Sequence, residues 1–176
     1  MEQTQQLMSS PELDWIAEAR KHIGLTETVG AKHNATIVSW VKDLGGWWQD
    51  DEVPWCGVFI AHCLKSVGIK YPKHWYRALA YADETLATKL EKPAYGCVAV
   101  KKRKGGGHVC FIVGRDEKTN KLLCLGGNQG NAVNIRLYNE TDFDGFYWYG
   151  RTPNPAPHRY DLNLIAGNFK PAGNEA

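Results

Sequence analysis

The chain has 176 residues, 43% hydrophobic and 23% charged, which fits one ordinary globular domain and excludes disordered, collagen-like and low-complexity classes. A formal net charge of +2 is too small to imply a nucleic-acid partner, and the only dense basic run is Lys101–Lys104. No apolar run approaches the ~20 residues of a membrane-spanning helix.

In chain order, residues 1–9 are polar and expected to fray. They lack a basic stretch followed by an apolar one, so the expectation is cytoplasmic synthesis without a secretory signal. Ser10 as N-cap and Pro11 at the first helical position open a first helix, with Leu13, Ile16, Ala17 and Ile23 as its apolar stripe and Gly24 as its stop. Asn34 caps a second helix carrying Ile37, Val38, Val41 and Leu44, which stops at Gly45-Gly46. A third helix is predicted over 56–67, ending at Gly68. It is apolar on nearly every side, as a buried central helix must be. A weaker fourth helix is expected within 75–90.

After Pro93 the hydrophobic period changes from that of a helix to that of a strand. Strands are predicted over 96–102, 108–113, 121–125, 132–138 and 146–149, with connections short enough for an antiparallel meander. Helices first and strands after make an α+β fold, with a central helix on a sheet of about five strands. One domain is expected over 1–152, followed by a proline-rich tail over 153–176 that is extended and packed on the surface or loose.

Five cysteines (Cys56, Cys63, Cys97, Cys110, Cys124) are an odd number, and their gaps of 7, 34, 13 and 14 fit no common zinc spacing. Free thiols are expected, mostly filling the core, with no metal and no cofactor. Cys56 has a different context. It follows Pro54-Trp55 and opens the buried helix, where the helix dipole and unpaired N–H groups stabilise a thiolate and could hold an oxyanion. His108 follows Gly105-Gly106-Gly107 at the mouth of an apolar strand. There it could take the thiol proton, with the glycines leaving access to it. His22, His33, His62, His74 and His158 lack such a setting and are expected to be structural or exposed. A third group should orient the imidazole. Asn128 is the first choice and Gln129 the second, both beyond a strand that ends in Gly126-Gly127; the same residues also make a good turn.

Together, Asp51-Glu52-Val53-Pro54-Trp55-Cys56-Gly57-Val58-Phe59, Gly107-His108-Val109 and Gly126-Gly127-Asn128-Gln129 resemble the CHAP group of amidohydrolases and peptidases. These are relatives of the NlpC-type enzymes among the papain-like cysteine peptidases. Trp15-Ile16, Ala19-Arg20 and the Gly30 to Asn34 segment extend the resemblance, which covers roughly residues 11–151. It implies a papain-like core, Cys56 as nucleophile, His108 as base, a polar orienting residue at Asn128 where many members carry Glu or Asp, and peptidoglycan as substrate. Trp47, Trp48, Asp51, Trp55 and Gln129 are the expected substrate contacts, as stacking faces and polar groups around the thiol. A compact phage endolysin is the first reading, with a holin-like partner. An effector amidase delivered by a secretion machine and paired with an immunity protein is the second, and a non-catalytic wall-binding module the third. A monomer acting on the cell wall is expected.

Overall fold

The computed structural model describes residues 11–28, 34–47 and 54–173. The described chain is a mixed α+β fold with three α-helices and an eight-stranded sheet. Helix α1 spans Asp14–Lys21, α2 Ala35–Asp43 and α3 Cys56–Ser66. The strands are β1 Thr88–Leu90, β2 Val98–Arg103, β3 Gly106–Asp116, β4 Leu122–Gly126, β5 Asn134–Tyr138, β6 Gly145–Trp148, β7 Leu164–Ile165 and β8 Lys170–Pro171.

The helices follow from local chemistry. The Asn34 side chain accepts hydrogen bonds from the N–H groups of Thr36 (2.9 Å) and Ile37 (3.2 Å), capping α2 as its position predicts. Helix α1 begins at Asp14 rather than near Pro11. Glu12 is engaged elsewhere: its carboxylate accepts the Tyr95 hydroxyl at 2.8 Å and pairs with Arg20 at 3.5 Å. The expected helix within 75–90 is reduced to a 3₁₀ turn over Ala78–Tyr81, followed by strand β1. The Tyr81 and Tyr149 hydroxyls bond backbone oxygens across the fold here (Tyr149 Oη to Tyr81 O, 2.7 Å), and that tertiary anchoring overrides a weak helical preference.

All five predicted strands are present, but the sheet is larger than the five expected. Strands β2, β3, β4 and β5 form the antiparallel meander. The chain then returns to the far side, where β6 pairs with β2 and β1 with β6. The tail adds the last two strands: β7 lies parallel to the end of β3 and β8 parallel to β5. These short pairings, with the Tyr95 N–H bonded to the Arg159 oxygen at 2.8 Å, tie the tail to the sheet. The proline spacing did not announce this.

Helix α3 is the centre of the core. Val58, Phe59, Ile60, Ala61, Cys63 and Leu64 are all fully buried. Phe59 meets Phe111 of β3 edge-on at 6.4 Å and Trp40 of α2 at 5.9 Å. The buried faces of this helix cannot shift without opening cavities, so its first residue, Cys56, is held rigidly against the sheet.

Candidate active site

Trp55 occupies the N-cap of α3 without a side-chain cap bond, so the first N–H groups of the helix have no helical acceptor. Trp55 is fully buried and its indole N–H donates to Glu27 at 3.0 Å. Gly57 follows the cysteine because the chain crosses directly over it: a Cβ there would lie 2.5 Å from the Trp75 carbonyl oxygen. The Tyr81 hydroxyl locks that crossing, 2.6 Å from the Gly57 oxygen and 3.1 Å from the Trp75 oxygen.

His108 is fully buried on β3. Its Nε2 lies 3.0 Å from Oε1 of Gln129. The Gln129 amide nitrogen is surrounded by acceptors: the Cys124 oxygen at 3.1 Å, the Asn134 oxygen at 2.9 Å and the Asn134 side-chain oxygen at 3.0 Å. The amide oxygen must therefore face the imidazole, and His108 must donate from Nε2. Nδ1 is left as the basic nitrogen, and it makes no aligned hydrogen bond among the described residues.

Of the two amides weighed for the third role, Gln129 is the one that meets His108. Gln129, placed with the substrate contacts on sequence grounds, is fully buried and orients His108. Asn128 is buried too, but its Oδ1 has no hydrogen-bond partner among the described residues, and its backbone takes a left-handed φ of 57°. That turn conformation breaks strand alternation, so counting along the chain cannot tell which of two adjacent amides faces the histidine. Gly126 makes room for the chosen one: a Cβ there would sit 2.7 Å from Gln129 Oε1.

The electrostatics favour a charge-separated pair. Burial alone would raise the Cys56 thiol, but the nearby His108 imidazole and the N–H groups of Val109 and Gly57 bring it below the usual 9.0. Burial alone would lower His108, but the sulfurs of Cys110 and Cys56 raise it from 6.5 to about 10. Each group thus favours the charged form of the other. Burial pushes Cys97 up to about 12, and Cys63 and Cys124 well above 9.0. Access points the same way, since Cys56 is 3% exposed and the other four cysteines 0%. Iodoacetamide is therefore expected to modify Cys56 first, with its half-maximal rate at a pH below 9.0, followed by peptide mass spectrometry. Uniform labelling of the five would remove the thiolate assignment.

Gly107, next to His108, does not open a path to it. A Cβ at Gly107 would lie 2.6 Å from the Leu79 side chain, so the residue lets the 78–81 turn close over the strand. Among the expected substrate contacts, Trp47 is 88% exposed. Trp55 offers no exposed ring, because it plugs the start of α3; a Cβ on Gly127 would lie 2.8 Å from its ring. Trp48 and Asp51 lie outside the described residues. Tyr76 and Leu79 are the further partly exposed large side chains on the segment that crosses Gly57 and Gly107. Behind the imidazole, the Tyr138 ring stacks at 5.8 Å with Lys101 over it at 5.6 Å. Comparison with protein-family models, with curated proteins and with solved structures returns no match.

Proposed function

We propose that this protein hydrolyses an amide bond of bacterial peptidoglycan by a thiolate mechanism in a papain-like core. Cys56 is the nucleophile, His108 the proton carrier and Gln129 the positioning residue. The observation that carries the chemistry is the buried pair of a depressed thiol and a raised imidazole whose Nε2 is already committed to Gln129. The sequence segments around Cys56, His108 and Gly126–Gln129 support the substrate class through their resemblance to CHAP and NlpC-type enzymes.

The Cys56 thiolate attacks the amide carbonyl carbon, and the electron pair moves to the oxygen. N–H groups of the first turn of α3 lie where that oxyanion forms. The C–N bond then breaks as imidazolium gives its proton to the departing amine, leaving a thioester. Water loses a proton to His108, attacks the thioester, and releases the carboxylic acid and the thiolate. The exposed ring of Trp47 and the half-exposed Tyr76 supply stacking faces for a glycan or stem peptide. A phage endolysin is the setting we favour.

Mass spectrometry of sacculi digested with the parent protein is expected to show a new amine and a new carboxylate at one muropeptide linkage, absent with Cys56→Ala. If parent and variant both sediment with sacculi and neither releases fragments, the protein is a wall-binding module and the hydrolytic reading fails.

A further inference from the structure

We propose that Glu18, His22 and His62 form a binding site for a divalent transition-metal cation of the zinc class, joining α1 to the helix that carries Cys56. Glu18 and His22 are four residues apart, so α1 presents both on one face. Helix α3 brings His62 to meet them from its exposed side, about 9 Å along its axis from Cys56. His22 Nε2 lies 3.0 Å and His62 Nε2 3.1 Å from the same carboxylate oxygen, Glu18 Oε1, and the two nitrogens are 3.3 Å apart.

Those separations suit a metal as well as hydrogen bonds. Zinc binds nitrogen and oxygen at ~2.0–2.2 Å in a tetrahedron, which sets neighbouring donors about 3.3 Å apart. The circle through the three atoms has a radius of about 1.8 Å, so one point lies a normal coordination distance from all of them. Without a cation, two imidazole nitrogens converge on one oxygen and on each other. Glu18 Oε1 can accept from both rings, but the 3.3 Å contact between the two nitrogens then holds no proton, whereas a cation is one group that all three donor atoms can face at once.

The surroundings hold the donors in place. Lys21 bonds the other Glu18 oxygen at 3.1 Å, leaving Oε1 to the histidines. Trp40 stacks on the His62 ring at 4.5 Å and meets His22 edge-on at 4.9 Å, fixing both rings. The three side chains are 17–20% exposed, which leaves an open side for water as a fourth ligand. Two imidazoles and one carboxylate suit zinc, cobalt or nickel over the oxygen-seeking calcium and magnesium.

The test uses Co²⁺ and Zn²⁺ on the full chain carrying Cys56→Ala, so that the reactive thiolate does not compete. Co²⁺ is expected to bind at one equivalent with visible ligand-field bands and no sulfur-to-metal charge-transfer band, and Zn²⁺ is expected to displace it. His62→Gln and, separately, His22→Gln should each weaken binding at least tenfold, the loss common even for changes outside the ligand shell. Zn²⁺ should raise the Tm of the parent and of neither variant. Two variants guard against one failing to fold, and metal-free melts report folding directly. No saturable binding, a charge-transfer band, or equal binding by the variants would overturn the site and leave a proton-sharing cluster. Because the readouts do not use hydrolysis, failure here leaves the proposed activity standing, and the reverse holds too.

Discussion

Cys56→Ala is expected to lower the release of muropeptide fragments by at least about a thousandfold, since removing a covalent nucleophile abolishes the shared-step chemistry rather than weakening one contact. His108→Ala should cost about as much, and the double variant little more, because the two act as one unit. A loss below about tenfold for Cys56→Ala would sink the mechanism. The same variant should change the pH dependence of stability. The raised His108 contributes stability that is fully present below 6.5 and is lost as pH rises through about 10. The depressed Cys56 thiol contributes stability that is present above 9.0 and is lost as pH falls through its lowered folded value. Above 9.0 the unfolded thiol loses its proton while His108 keeps its own up to about 10. Stability conferred by the raised histidine is thus lost as pH climbs through that range. Melts of parent and Cys56→Ala should show a smaller alkaline loss in the variant, whose His108 lacks the Cys56 sulfur that helps to raise it.

Gln129→Leu is expected to reduce kcat by about 10²–10⁴-fold with KM little changed, the scale seen when the group that fixes a catalytic imidazole's tautomer is altered. The substitution leaves Nε2 without its acceptor, so Nδ1 and Nε2 compete for the proton. The alkylation profile of Cys56 against pH should move with it, which a merely structural role would not produce. The variant should also lose about 1–3 kcal/mol of stability, since the buried Cys124 and Asn134 oxygens lose a donor. Gln129→Glu tests the direction of the amide. It keeps an oxygen for His108 but sets the other against those same carbonyl oxygens, so it should rescue part of the activity and little of the stability. Asn128→Gly keeps the left-handed backbone and removes an oxygen with no partner among the described residues; its expected effect on kcat is under tenfold. The opposite ranking of Gln129 and Asn128 would reverse the assignment.

The sequence by itself determined the parts that depend on neighbours along the chain. Asn34 beside Thr36 and Ile37 is a cap wherever that helix packs, and an all-apolar run from Cys56 has to be buried. Alternation marked the five main strands because each side chain's face depends only on parity. The candidates Cys56 and His108 were legible for the same reason: one opens a buried helix, the other a buried strand. Tertiary structure alone decided what comes from residues far apart. The return of β6 to pair with β2, and the attachment of β7 and β8, rest on backbone bonds that carry no side-chain signature. Gln129 meets His108 in place of Asn128 because a left-handed turn residue reset which amide points inward and three acceptors on the flanking strands β4 and β5 turned that amide over. His62 meets His22 and Glu18 only because two helices pack side by side. Spacing within either helix could not reveal it, since the distance that matters runs through space and not along the chain.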